Sequence, residues 1–143
     1  MKLFKLCLVL VLISLSFISN AEIVTENFRV MMAPKIAKNT AGYGVIKNTG
    51  SEADTLNSVC SDTVDVMFHK TEIRSGMAKM VHLSDVVIKA GQELVLEAMS
   101  YHLMLFDFHS AEFKEGGKIT FFLNFKKAGV VKVEASIITT DSS

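Results

Sequence analysis

The sequence is poor in cysteine, with two, and in proline, with one, and it has no tryptophan. Two cysteines cannot build the disulfide framework of a small secreted mini-domain. One proline and eight glycines in 143 residues exclude a collagen-like or Pro-rich chain. Neither charge is in excess, since 15 basic residues meet 15 acidic ones. A nucleic-acid backbone needs a basic surplus, so DNA and RNA drop out as partners. Half of the residues are hydrophobic, which excludes a disordered chain and supplies about one domain's core. Beyond residue 21 no run is apolar enough to span a membrane.

The first 21 residues read as a secretory leader. Lys2 and Lys5 give a positive start, Leu8 to Phe17 an apolar stretch broken only by Ser14 and Ser16, and Ser19-Asn20-Ala21 a small-residue cleavage site. An uncleaved anchor is the other reading, but the run is shorter than the roughly 20 residues a spanning helix needs. Cys7 sits too early to look like a lipid-attachment cysteine. Cleavage after Ala21 leaves a domain over 22–143, slightly acidic, with Cys60 as its one thiol. With no internal disulfide available, this domain must be held by its hydrophobic core. The simplest location is a bacterial periplasm, without membrane insertion.

The body of the chain predicts strands. Val64, Val66 and Phe68 alternate with Asp65, Met67 and His69, and Tyr101, Leu103 and Leu105 with His102, Met104 and Phe106. Leu94 and Leu96 lie in a further such run. Ile119, Phe121, Leu123 and Phe125 form one apolar face, and Val131, Val133, Ala135 and Ile137 another. Turn residues punctuate them at Asn48-Thr49-Gly50-Ser51, Ala90-Gly91, Glu115-Gly116-Gly117 and Ala128-Gly129. Strands at this spacing, with no amphipathic helix, give an all-β sandwich or Greek-key barrel. Asn39 to Tyr43 fits a loop or a short helical turn, and Thr139 to Ser143 a frayed end.

Enzyme motifs are absent: no Gly-rich phosphate loop, no His-Glu-x-x-His, no Gly-x-Ser-x-Gly. Instead all four histidines, and five of the seven methionines beyond the leader, fall between residues 67 and 109. On a strand His102 and Met104 share a face, roughly 6.5–7 Å apart along the chain. Core packing is the ordinary alternative for a methionine. His69 lies on the face opposite Val64, Val66 and Phe68, and a hairpin turning at Arg74-Ser75-Gly76 brings Met80 towards it. Two imidazoles and two thioethers form a neutral, soft donor set. Such a set suits Cu(I), unlike Mg, Ca or Mn, and zinc seldom takes methionine. Thioethers also escape the disulfide formation that disables thiolates in an oxidising compartment.

The spacing His69-x10-Met80-x21-His102-x-Met104 resembles the motif of the periplasmic PCu(A)C-type copper chaperones. Asn39-Thr40-Ala41-Gly42-Tyr43, Asn48-Thr49-Gly50 with Asp54 and Leu56, Tyr101-His102-Leu103-Met104-Leu105, and Gly117-Lys118-Ile119 through Phe125 with Ala128-Gly129 are similar to further segments of that family. The resemblance implies a cupredoxin-like Greek-key β-barrel with a surface Cu(I) site. It implies His69, Met80, His102 and Met104 as metal ligands, and copper delivery to the CuA centre of cytochrome c oxidase, in some cases beside a thioredoxin-fold assembly factor. Lys70, where the family often has Glu, and Ala33-Pro34, where it often has Pro-Pro, depart from the pattern.

Around this set, Met77 is expected as a bystander, on the opposite strand face from Met80. Met67 either lines the site or packs, and His82 and His109 are expected as solvated histidines. Cys60 is distant in sequence from the His102–Met104 segment, which argues against a blue-copper electron carrier, whose Cys ligand joins two His and a weak Met. The expected function is therefore a non-enzymatic Cu(I) chaperone. Its rivals are an exported β-sandwich interaction module without metal, and a redox or catalytic protein acting through Cys60.

Overall fold

The computed structural model describes residues 22–108 and 113–139. Residues 1–21 with Cys7, expected as a leader, residues 109–112 with His109, and residues 140–143 lie outside the described residues. Ten strands follow one another along the chain. They are β1 (Ile23–Met31), β2 (Asn39–Asn48), β3 (Asp54–Cys60), β4 (Asp65–Arg74) and β5 (Met77–His82). After these come β6 (Val86–Ile88), β7 (Glu93–Leu96), β8 (Tyr101–Phe106), β9 (Lys118–Phe125) and β10 (Gly129–Ile138). The all-β architecture is one continuous sheet in the order β5-β4-β8-β7-β2-β1-β10-β9-β3-β6, with β8 also pairing β2. It curls until β3 runs near β4.

Period-2 alternation puts the apolar positions inside. Val64, Phe68, Leu94, Leu96, Leu103, Leu105, Ile119, Phe121, Leu123, Phe125, Val133, Ala135 and Ile137 are all buried in one core. The segment Asn39–Tyr43, open between loop and helical turn in sequence, is the first half of β2. Its glycines mark close approach: a Cβ on Gly44 would stand 2.5 Å from the Phe28 ring. Phe28 follows a bulge in β1, where Asn27 takes φ 53° and the register with β2 shifts.

Two buried polar side chains tie the loops down. Asp54 accepts backbone N–H bonds from Thr55, Lys127 and Ala128, each at 2.8 Å, clamping the β9–β10 turn onto β3. Asn48 donates to the carbonyls of Glu52 and Ile88 and accepts from Gly50 N–H. Of the terminal segment 139–143 only Thr139 is described, and its hydroxyl donates to Glu115 at 2.9 Å. Among the described residues no helix is long and apolar enough to cross a membrane.

Candidate metal centre

β4 lies between β8 and β5, and its inward residue is Phe68, so His69 points to the opposite, outer face. The register then assembles rows across the three strands. His82, His69 and His102 are directly opposite one another; Met67 faces Met104; Met80 faces Thr71. Residues i and i+2 on a strand share a face, so these rows stack on a single surface. The His69 and His102 rings are parallel to within 15°, with centroids 5.9 Å apart, and the His82 ring lies 5.5 Å from that of His69.

The two inner imidazoles carry the informative detail. His102 is 5% exposed although it is on the outer face. Its Nδ1 lies 3.0 Å from the Ser100 carbonyl, which can only accept, so Nδ1 carries the proton and donates it. Nε2 is left with a free lone pair, buried and without a partner. Nδ1 of His69 is likewise buried and unpartnered. A buried polar atom left unsatisfied costs about 1–3 kcal/mol, and a missing ion is one of its ordinary explanations. Burial holds His69 below the usual imidazole pKa; His102 and His82 push the same way, and the Met67 backbone opposes them.

Beside His102 opens a cavity of about 240 Å³, lined among others by Thr71, Met80, Met99, His102 and Met104. Met80 is 56% exposed at its side, which leaves its thioether accessible from solvent. His69 stacks on His102 but does not line this cavity. Among the described residues no three His, Cys, Asp or Glu side chains form a metal-holding group. The groups that gather are the imidazoles of the His82–His69–His102 row and the neighbouring methionines, without carboxylate or thiolate, which fits a soft monovalent ion and not a hard divalent one.

The neighbours named in the sequence take definite places. His82 is exposed, yet it stands beside His69 instead of apart from the row. Met67, 45% exposed, is not a core residue. Met77 is opposite Arg74, on the other face from Met80. Cys60 is an exposed free thiol on β3, opposite Phe122, and touches neither the row nor the cavity. Met99, which the sequence marks only as one of the five clustered methionines, also lines the cavity.

Solved structures share this architecture. The apo PCuAC domain from PmoF1 has a TM-score of 0.68 at 20% identity, covering 84% of this chain and 96% of that one. The copper-bound PCuAC domain from PmoF2 has a TM-score of 0.68 at 18% identity, covering 84% and 95%. The solution structure of CuI-DR1885 from Deinococcus radiodurans has a TM-score of 0.65 at 20% identity, covering 88% and 85%. The fold is thus that of the PCuAC domains. A family profile, LpqE-like, described as "Putative lipoprotein LpqE-like", matches residues 23–137, and the chain belongs to that family. No curated protein matches it.

Proposed function

We propose that this protein is a non-enzymatic Cu(I) carrier that binds one ion through His69, Met80, His102 and Met104. The supporting observation is the His102 imidazole, held by Ser100 with its Nε2 lone pair buried and unpartnered, on a residue that lines one cavity together with Met80 and Met104. Two structural relatives, the copper-bound PCuAC domain from PmoF2 and CuI-DR1885, carry copper on this fold, which supports the reading. Neutral donors leave the ion its single positive charge, and thioethers bind it without a proton to lose. Release is then a ligand exchange: an acceptor's donor atom forms a bond to copper as a thioether of this chain leaves, with no change of oxidation state. The exposed side chain of Met80 gives that acceptor its approach. The recipient we propose is the CuA site of cytochrome c oxidase, with a thioredoxin-fold assembly factor as helper. The leader-like pattern over 1–21 supports a periplasmic location.

Anaerobic titration against a Cu(I) chelator tests the site. His102→Ala combined with Met104→Ala should abolish competitive Cu(I) binding, and X-ray absorption of the loaded wild type should count both sulfur and nitrogen neighbours. Wild-type affinity in the double variant would reject the site and favour a metal-free interaction module.

A further inference from the structure

Three methionines, Met80, Met99 and Met104, are among the residues that line the cavity beside His102, and Met99 is held there at a conformational cost. Met99 lies in the turn between β7 and β8 with φ 63°. That left-handed conformation costs a residue bearing a Cβ roughly 1–2 kcal/mol, and glycine is the residue that adopts it freely. Packing does not compensate, since the Met99 side chain is 66% exposed. It nevertheless lines the same cavity as Met80, His102 and Met104.

The turn itself is closely tied to the site. Glu97 N–H donates to the Tyr101 carbonyl at 2.8 Å, and Ser100 N–H to the Glu97 carbonyl at 3.2 Å. The Ser100 carbonyl accepts from Thr71 N–H at 3.0 Å and from His102 Nδ1 at 3.0 Å. The backbone that fixes Met99 in its left-handed state therefore also aims the unpartnered Nε2 of His102. Strain of this kind, retained beside buried unsatisfied donors, is a mark of a working site.

We propose that Met99 is a further copper donor, whose thioether takes Cu(I) at the mouth of the cavity and exchanges with Met80 or Met104. This rests on the Cu(I) carrier reading. In the exchange one Cu–S bond forms as another breaks, copper stays Cu(I), and no proton or electron moves. A flexible, exposed thioether at the rim lets the ion pass between cavity and acceptor without being freed into water.

Two variants test the role. Met99→Leu keeps the bulk and removes the sulfur; Met99→Gly removes it and relaxes the turn, so it retains the fold. The Cu(I)-loaded protein is mixed anaerobically with excess bathocuproine disulfonate, and the transfer rate is followed by absorbance. Both variants should transfer on the order of tenfold more slowly, the scale on which groups supporting a metal site act. Wild-type rates in both would overturn the proposal. Met104→Ala separates the two readings: if it loses copper while the Met99 variants transfer normally, only the exchange role falls. If Met104→Ala retains wild-type affinity, the copper site itself fails.

Discussion

His69 and His102 are paired across two strands, but they are prepared differently. His102 has its tautomer set by a carbonyl 3.0 Å away, which points a lone pair outward from Nε2. His69 has its charge state set by burial, which disfavours the imidazolium. The sign of the pH effect follows. The folded-state pKa of His69 lies below the unfolded value near 6.5. As pH falls through 6.5 the unfolded chain takes up its proton first. Stability of the metal-free protein therefore decreases from there down to the lowered folded value, and this contribution is flat below it. Urea unfolding at about pH 7.5 and about pH 5 should show the loss, and His69→Gln should reduce the difference; an equal pH dependence in the variant would contradict the burial effect. Protons and copper compete for the same imidazole nitrogens, so Cu(I) affinity should also drop below about pH 6. Chelator competition across that range checks it, and a flat profile would mean that the imidazoles are not ligands.

At the level of elements, β2 shows how local propensity yields to packing. Its Asn-Thr-Ala-Gly-Tyr start and second glycine read poorly as a strand. The reason those glycines sit there is tertiary: Gly44 lies under the Phe28 ring, and a Cβ on Gly42 would be 3.3 Å from that of Leu103. Gly44→Ala should thus destabilise the protein by about 1–3 kcal/mol, the usual cost of overpacking. A shifted urea midpoint with an unchanged slope would show it, whereas an unshifted midpoint would mean that Phe28 swings aside freely. β5 makes the complementary point. It is an edge strand paired only with β4, so the one proposed ligand on it, Met80, sits where the sheet opens most easily.

Taken as a whole, the molecule brings residues from β4, β5 and β8 to one surface through the local β4–β5 hairpin and the long-range pairing of β4 with β8. An ion bound across these strands joins the sheet's edge to its interior and favours the folded chain by mass action. At free Cu(I) a hundredfold above Kd, the folded state should gain about 2.7 kcal/mol. Anaerobic thermal melts at rising Cu(I) would reveal a concentration-dependent increase in Tm. A constant Tm over that range would show that copper does not bind preferentially to the native fold.

Much was decided by sequence alone, because burial on a sheet repeats every second residue. The alternating runs around Phe68, Leu103, Phe121 and Val133 determined the core and the all-β class before any pairing was known. The same alternation put His69 outside, and His102 with Met104 on one face. Alternation does not give register: between β4 and β8 it depends on segments far apart in the chain, whereas between β4 and β5 it is set by the two-residue turn at Ser75-Gly76. Only the tertiary structure set His102 beside His69, Met67 against Met104, and Met99 in the lining of the cavity. A methionine carries no sequence mark of a positive φ, so the turn that lifts Met99 into place becomes visible only when β7, β8 and the Ser100 carbonyl are seen together.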